Sequence, residues 1–176
     1  MKHKIAKQLH MDMDSKAFCE AYAEEERELN KRMEQGIFYT IKKDRLIGAV
    51  TLGSKVDSYI TDCFDNGFYM KGLLADVMAN QFLFELHQRV TREALFDCRE
   101  KRLFPIKQIK IGEDVPLSFQ EDIARETEIV TVTDTHMLSP LKSMTFWYKL
   151  SDQECAWMAL ARPCEECKLK DTCEMK

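Results

Sequence analysis

The stretch "FYMKGLLADVMANQFLFELHQRVTREALFDCR" (68–99) decides the fold. Met70, Leu74, Met78, Phe82, Leu86 and Val90 recur at every fourth position, and Leu73, Val77 and Phe84 widen the stripe. Such spacing gathers apolar side chains on one side of a helix. The pattern therefore predicts one long helix over 68–99 with a broad apolar face, a central core element around which the rest must pack.

Upstream, "RLIGAVTLGS" (45–54) is a short apolar run rich in β-branched residues that ends in glycine, as a buried strand does. "KVDSYITDCFDNG" (55–67) reads as an amphipathic helix closed by the turn pair Asn66-Gly67. Further back, "SKAFCEAYAEEERELNKRMEQ" (15–35) predicts a helix with Ser15 as its N-cap and Gly36 as its stop. Its charge run is a solvated face carrying i,i+4 pairs. Downstream, "FPIKQIKIG" (104–112) predicts a strand and "VPLSFQEDIARET" (115–127) a helix with Pro116 near its start. "EIVTVTDTH" (128–136) and "SMTFWYKLS" (143–151) alternate like strands, joined by the breaker "MLSP". The order predicts an α+β fold: an antiparallel or mixed sheet with packed helices over residues 1–162, followed by a Cys-rich tail at 163–176.

The 176 residues are 45% hydrophobic and 32% charged, the balance of a globular chain with a substantial core. A net charge of -4 argues against nucleic acid as a partner, because phosphate binding wants a clustered basic excess. No apolar run is long enough to span a bilayer, and "MKHKIAKQLHMDMDSK" lacks the apolar core of a secretory signal, so the expected location is cytoplasmic. GxGxxG, P-loop, HExxH and GxSxG motifs are absent, so the usual nucleotide, zinc-protease and hydrolase signatures fail. His87 and His136 read as partly buried structural histidines.

Two stretches carry a resemblance. "LADVMANQFLFELHQRV" (74–90) fits the pattern LADxLAExFAExLHERV at Leu74, Ala75, Asp76, Ala79, Phe82, Leu86, His87, Arg89 and Val90 without a gap. "VTDTHMLSPLKSMTFWYKLS" (132–151) keeps register with a second run at Thr133, Pro140, Ser143, Trp147 and Tyr148. Between them, "IKIGEDVPLSFQEDI" follows a glycine turn with Pro116-Leu117 and Gln120. Over about residues 45–151 the chain resembles the reactivation domain of cobalamin-dependent methionine synthase, in the form of a stand-alone relative. The resemblance implies an α+β domain with a twisted antiparallel sheet. It also implies docking on a corrinoid-carrying protein, or cobalamin (vitamin B12)-dependent methyltransferase, and presentation of S-adenosylmethionine to an oxidised cobalt. Any catalysis would then belong to that donor and the cobalt, since no side-chain nucleophile or acid/base pair stands out.

The same resemblance puts the S-adenosylmethionine site at Asn80, Gln108, Gly112 and Glu113. Ser143 and Trp147 become candidate contacts in a cleft formed by Gly112 and segment 140–148, facing the corrinoid. Asn80 stands where the family has glutamate, Gln108 where it has arginine and Glu113 where it has tyrosine. Gln108 offers neither the charge nor the fork that holds a carboxylate bidentately. Lys107 or Lys110 can supply charge alone, and Glu113 a carboxylate for the sulfonium. The alternative is a non-enzymatic corrinoid-protein binding factor without the methyl donor.

Seven cysteines are many for a reducing compartment. Cys19, Cys63 and Cys98 read as small hydrophobes. Cys155, Cys164, Cys167 and Cys173 cluster in the tail, "PCEECKLKDTCEMK". Thiolates at this spacing suit a structural zinc, an iron–sulfur cluster passing electrons to cobalt (making the chain a small electron carrier), or a redox-active thiol set. Glu165 and Glu166 raise the cost of a thiolate pair, and the three readings stay open.

Overall fold

A computed structural model describes residues 1–153. The candidate metal ligands Cys155, Cys164, Cys167 and Cys173 lie outside the described residues.

Helix α1 (Lys2–Gln8) leads into α2 (Lys16–Arg32). Ser15 caps α2 through its side chain, which accepts from the Phe18 N–H at 3.3 Å. The helix ends before Gly36, because that residue opens a strand the local pattern does not announce: β1 (Gly36–Ile41). Then follow β2 (Arg45–Thr51), α3 (Ser54–Asp65), α4 (Tyr69–Glu100), β3 (Phe104–Gln108) and α5 (Phe119–Thr127). The chain goes on through β4 (Thr131–Val132), β5 (Leu138–Ser139) and β6 (Ser143–Ser151).

The fold is α+β. Its four-stranded sheet has the order β1-β2-β6-β3, antiparallel at every step. Segment 128–136 does not join it. Glu128 ends α5 at φ 58°, and only Thr131–Val132 pair, with Leu138–Ser139, in a separate two-stranded ribbon.

Helix α4 lies across one face of the sheet, where Leu46, Val50, Phe146, Tyr148 and Leu150 meet Leu74, Met78, Leu83, Leu86 and Val90. Helix α5 covers part of the other face, where Ala49, Ala124 and Val130 form a smaller cluster. With both faces covered, β2 is buried almost throughout instead of alternating. Gly48 is needed at its centre: a Cβ there would lie 2.7 Å from the Phe38 carbonyl oxygen and collide with the Phe146 ring.

The α4 stripe is wider than the core it covers. Met70 and Leu73 are 64% and 41% exposed, while the buried part of the stripe begins at Leu74.

Candidate functional site

Antiparallel pairing sets the ends of β2, β6 and β3 in register. Thr51 at the end of β2 pairs with Ser143 at the start of β6. β3 runs the opposite way to β6, from Phe104 opposite Ser151 to Gln108 opposite Tyr148. The chain then heads for the same end and turns at Gly112, whose φ of 90° is left-handed and favours glycine. The Gly112 N–H donates to the Val115 carbonyl at 2.7 Å, closing the turn.

The cations of this turn are already engaged. Lys107 Nζ lies 2.6 Å from Asp114 Oδ1, and Lys110 Nζ lies 3.6 Å from Glu113 Oε2. Lys107, aided by the Lys110 backbone N–H, holds the Asp114 carboxyl below the usual carboxylate range. Gln108 is half-buried and shares the α4 face with Tyr148, its partner across the ladder.

Asn80 belongs to a different cluster. Lys142 Nζ donates to Asp76 Oδ1 at 2.6 Å and to Asn80 Oδ1 at 2.8 Å, while Asn80 Nδ2 donates to Asp76 Oδ2 at 3.2 Å. Asp57 accepts the backbone N–H groups of Leu141 and Lys142 at 2.5 and 3.2 Å. Together these contacts tie the start of β6 to α3 and α4. Among the described residues, no hydrogen bond or ion pair joins Asn80 to Gln108 or Glu113. Ser143 is buried, with its hydroxyl 2.8 Å from Thr51 Oγ1 and 2.6 Å from the Pro140 carbonyl, so its polar capacity is used in closing the turn.

Trp147 is differently placed. Odd-numbered β6 residues face α5, and the indole stacks on Phe119 with centroids 5.6 Å apart and planes at 22°. Its Nε1 is buried and has no hydrogen-bond partner among the described residues. Two more orphaned atoms belong to the adjoining elements: Gln120 Oε1, one residue from Phe119, and His136 Nδ1 in the ribbon turn. His136 Nδ1 lies 3.0 Å from Glu121 Oε1, an ion pair only when the imidazole is protonated and not aligned as a hydrogen bond. His136 also has a φ of 59°, an uncommon conformation for a residue with a side chain.

A partly exposed aromatic stack suits a flat ligand or a partner's side chain. Spacing alone could not bring Glu121 and His136 together. Glu121 lies in α5 and His136 fifteen positions on, and only the ribbon brings them together. Among the described residues, no group of three or more His, Cys, Asp or Glu side chains is arranged to hold a metal ion. No protein-family model matches the chain, and no curated protein matches it.

Proposed function

We propose that the chain docks on a corrinoid-carrying protein and supports the return of its cobalt to the active, methylated state. One observation carries this reading. The segments bearing the resemblance are joined in the fold: α4 is tied through Asn80 to Lys142 before β6, and β3 runs beside β6 toward the Gly112 turn. Docking on one partner requires these segments to be held in a fixed arrangement. On the α5 face of the same sheet, Trp147 stacked on Phe119 supplies an aromatic contact for the partner.

The residues do not fit S-adenosylmethionine as the resemblance implies. Its carboxylate needs a fork donor or an unengaged cation, and Gln108 provides neither. Lys107 and Lys110 are paired with Asp114 and Glu113, and Asn80 is held by Lys142. These pairings favour the second reading, a corrinoid-protein binding factor that acts without the methyl donor.

One experiment addresses both. The protein is titrated by calorimetry into the corrinoid-binding domain of a methionine synthase, loaded with cob(II)alamin or empty, and S-adenosylmethionine is titrated separately. Saturable binding to the loaded domain, weakened in Trp147→Ala, supports docking, and binding to neither form sinks it. A dissociation constant for S-adenosylmethionine of about 1 mM or tighter, at least ~4 kcal/mol, would restore the donor to the mechanism. No heat would leave the second reading.

A further inference from the structure

A separate surface lies on the α4 side of the sheet, away from Trp147. At the corner where α3 meets α4, five apolar side chains stand in solvent: Phe64, Phe68, Tyr69, Met70 and Leu73, between 37% and 66% exposed. They form one patch. The Phe64 and Tyr69 rings are 6.5 Å apart, Phe64 lies against Gly72, and Tyr69 and Leu73 are one helical turn apart. Contiguous apolar surface of this kind marks a contact site more often than scattered residues do.

A cavity of about 260 Å³ opens beside the patch, lined by Tyr59, Asp62, Cys63, Asn66, Phe68 and Lys71. Its exposed lining is apolar, and its surroundings carry a definite charge. Lys71 Nζ is committed to Glu24 at 3.0 Å and Glu25 at 3.4 Å. Glu25 is only 3% exposed and also accepts from the Tyr59 hydroxyl at 2.7 Å. The Arg32 guanidinium lies over the Tyr59 ring at 4.2 Å and is itself paired with Glu28. Asp62 and Asp65 stand exposed, and among the described residues neither side chain makes an ion pair. The nearby cations Lys71 and Arg32 are both paired with glutamates, which leaves Asp62 in the lining, and Asp65 three positions on in α3, as the exposed carboxylates without an ion pair among the described residues.

We propose that this corner docks a partner polypeptide that inserts one apolar side chain into the cavity and sets a neighbouring Lys or Arg against Asp62 and Asp65. The cavity supplies the anchor, and the unpaired carboxylates select the sign of charge beside it. An acidic segment with the same anchor meets like charge and is rejected.

The test uses the full chain and two fluorescent peptides that share a central Phe-x-x-Leu core, one flanked by lysines and one by glutamates. Anisotropy titration is expected to show the lysine-flanked peptide binding about tenfold tighter, a difference of ~1.4 kcal/mol, with the gap shrinking as salt rises. Phe68→Ser weakens both peptides, and Asp62→Lys with Asp65→Lys inverts the preference. All three positions are exposed, so thermal melts of these variants should match the parent. No binding, equal binding, or a preference that survives the double charge reversal overturns the proposal. So does a dimer in sedimentation velocity that Phe68→Ser dissociates, because the occupant would then be a second copy of the chain.

Discussion

At the scale of single residues, two positions decide more than their chemistry suggests. Gly48 lets β2 approach both the Phe38 carbonyl and the Phe146 ring. Gly48→Ala is expected to cost on the order of 1–3 kcal/mol through overpacking, read as a lower denaturant midpoint with unchanged slope. An unchanged midpoint would mean that Phe146 swings aside and the β1 backbone at Phe38 shifts without cost. His87 is packed edge-on against Phe146, with centroids 5.6 Å apart, and burial holds its pKa below the ordinary 6.5. The unfolded chain takes up that proton near pH 6.5, while the folded state resists it. Stability therefore falls as pH drops below about 6.5, and levels off once the depressed folded pKa is passed. His87→Gln should flatten this part of the stability profile, measured by urea denaturation between pH 5 and 7.5. A profile identical to the parent's would assign the slope to other groups. Gly48 reads in the sequence only as one residue of an apolar run. The need for glycine there arises from β6, nearly a hundred residues away.

At the scale of elements, legibility follows the range of the forces. α2 and α4 are legible because caps and 3.6-residue periodicity are local signals. Ser15→Ala should therefore cost about 1 kcal/mol, within the ~0.5–2 kcal/mol of lost N-caps, with reduced protection of the first α2 amides in hydrogen exchange. Full protection would mean that the surrounding packing holds the turn without the cap. β1 is harder to see. It is an edge strand, half-buried at most positions, and its pairing with β2 sets its limits. Segment 128–136 has the composition of a strand, but the left-handed Glu128 and the turn at His136 confine its pairing to Thr131–Val132. The candidate site inherits this difference. Gly112, Ser143 and Trp147 could be read as conspicuous residue types in a recognisable order, whereas Gln120 and His136 gain significance only from packing.

At the scale of the whole molecule, the described body coheres through two apolar clusters on opposite faces of one sheet. No helix among the described residues is long and apolar enough to cross a membrane. Because the body has its own core, removing any metal bound by the tail cysteines should leave its stability nearly unchanged. A small zinc domain, by contrast, unfolds without its metal. Treating anaerobically purified protein with a chelator is expected to shift the unfolding free energy by less than ~0.5 kcal/mol, while metal analysis on the same batch reports what was released. A large loss of stability would make the metal a structural part of the body.

By itself, the sequence determined the α+β class, the long central helix, the strands at 45–51 and 143–151, and the acidic, globular character of the chain. These follow from composition and short-range periodicity, which each segment carries on its own. Tertiary structure alone decided the strand order β1-β2-β6-β3 and the burial of both faces of β2. It also decided the engagement of Asn80, Lys107 and Lys110 by local partners, and the exposure of Met70 and Leu73 near an apolar cavity edged by Asp62. Each of these depends on which distant segments meet. A side chain's periodicity shows which face it occupies, but only the fold shows what covers that face and which charges are already paired.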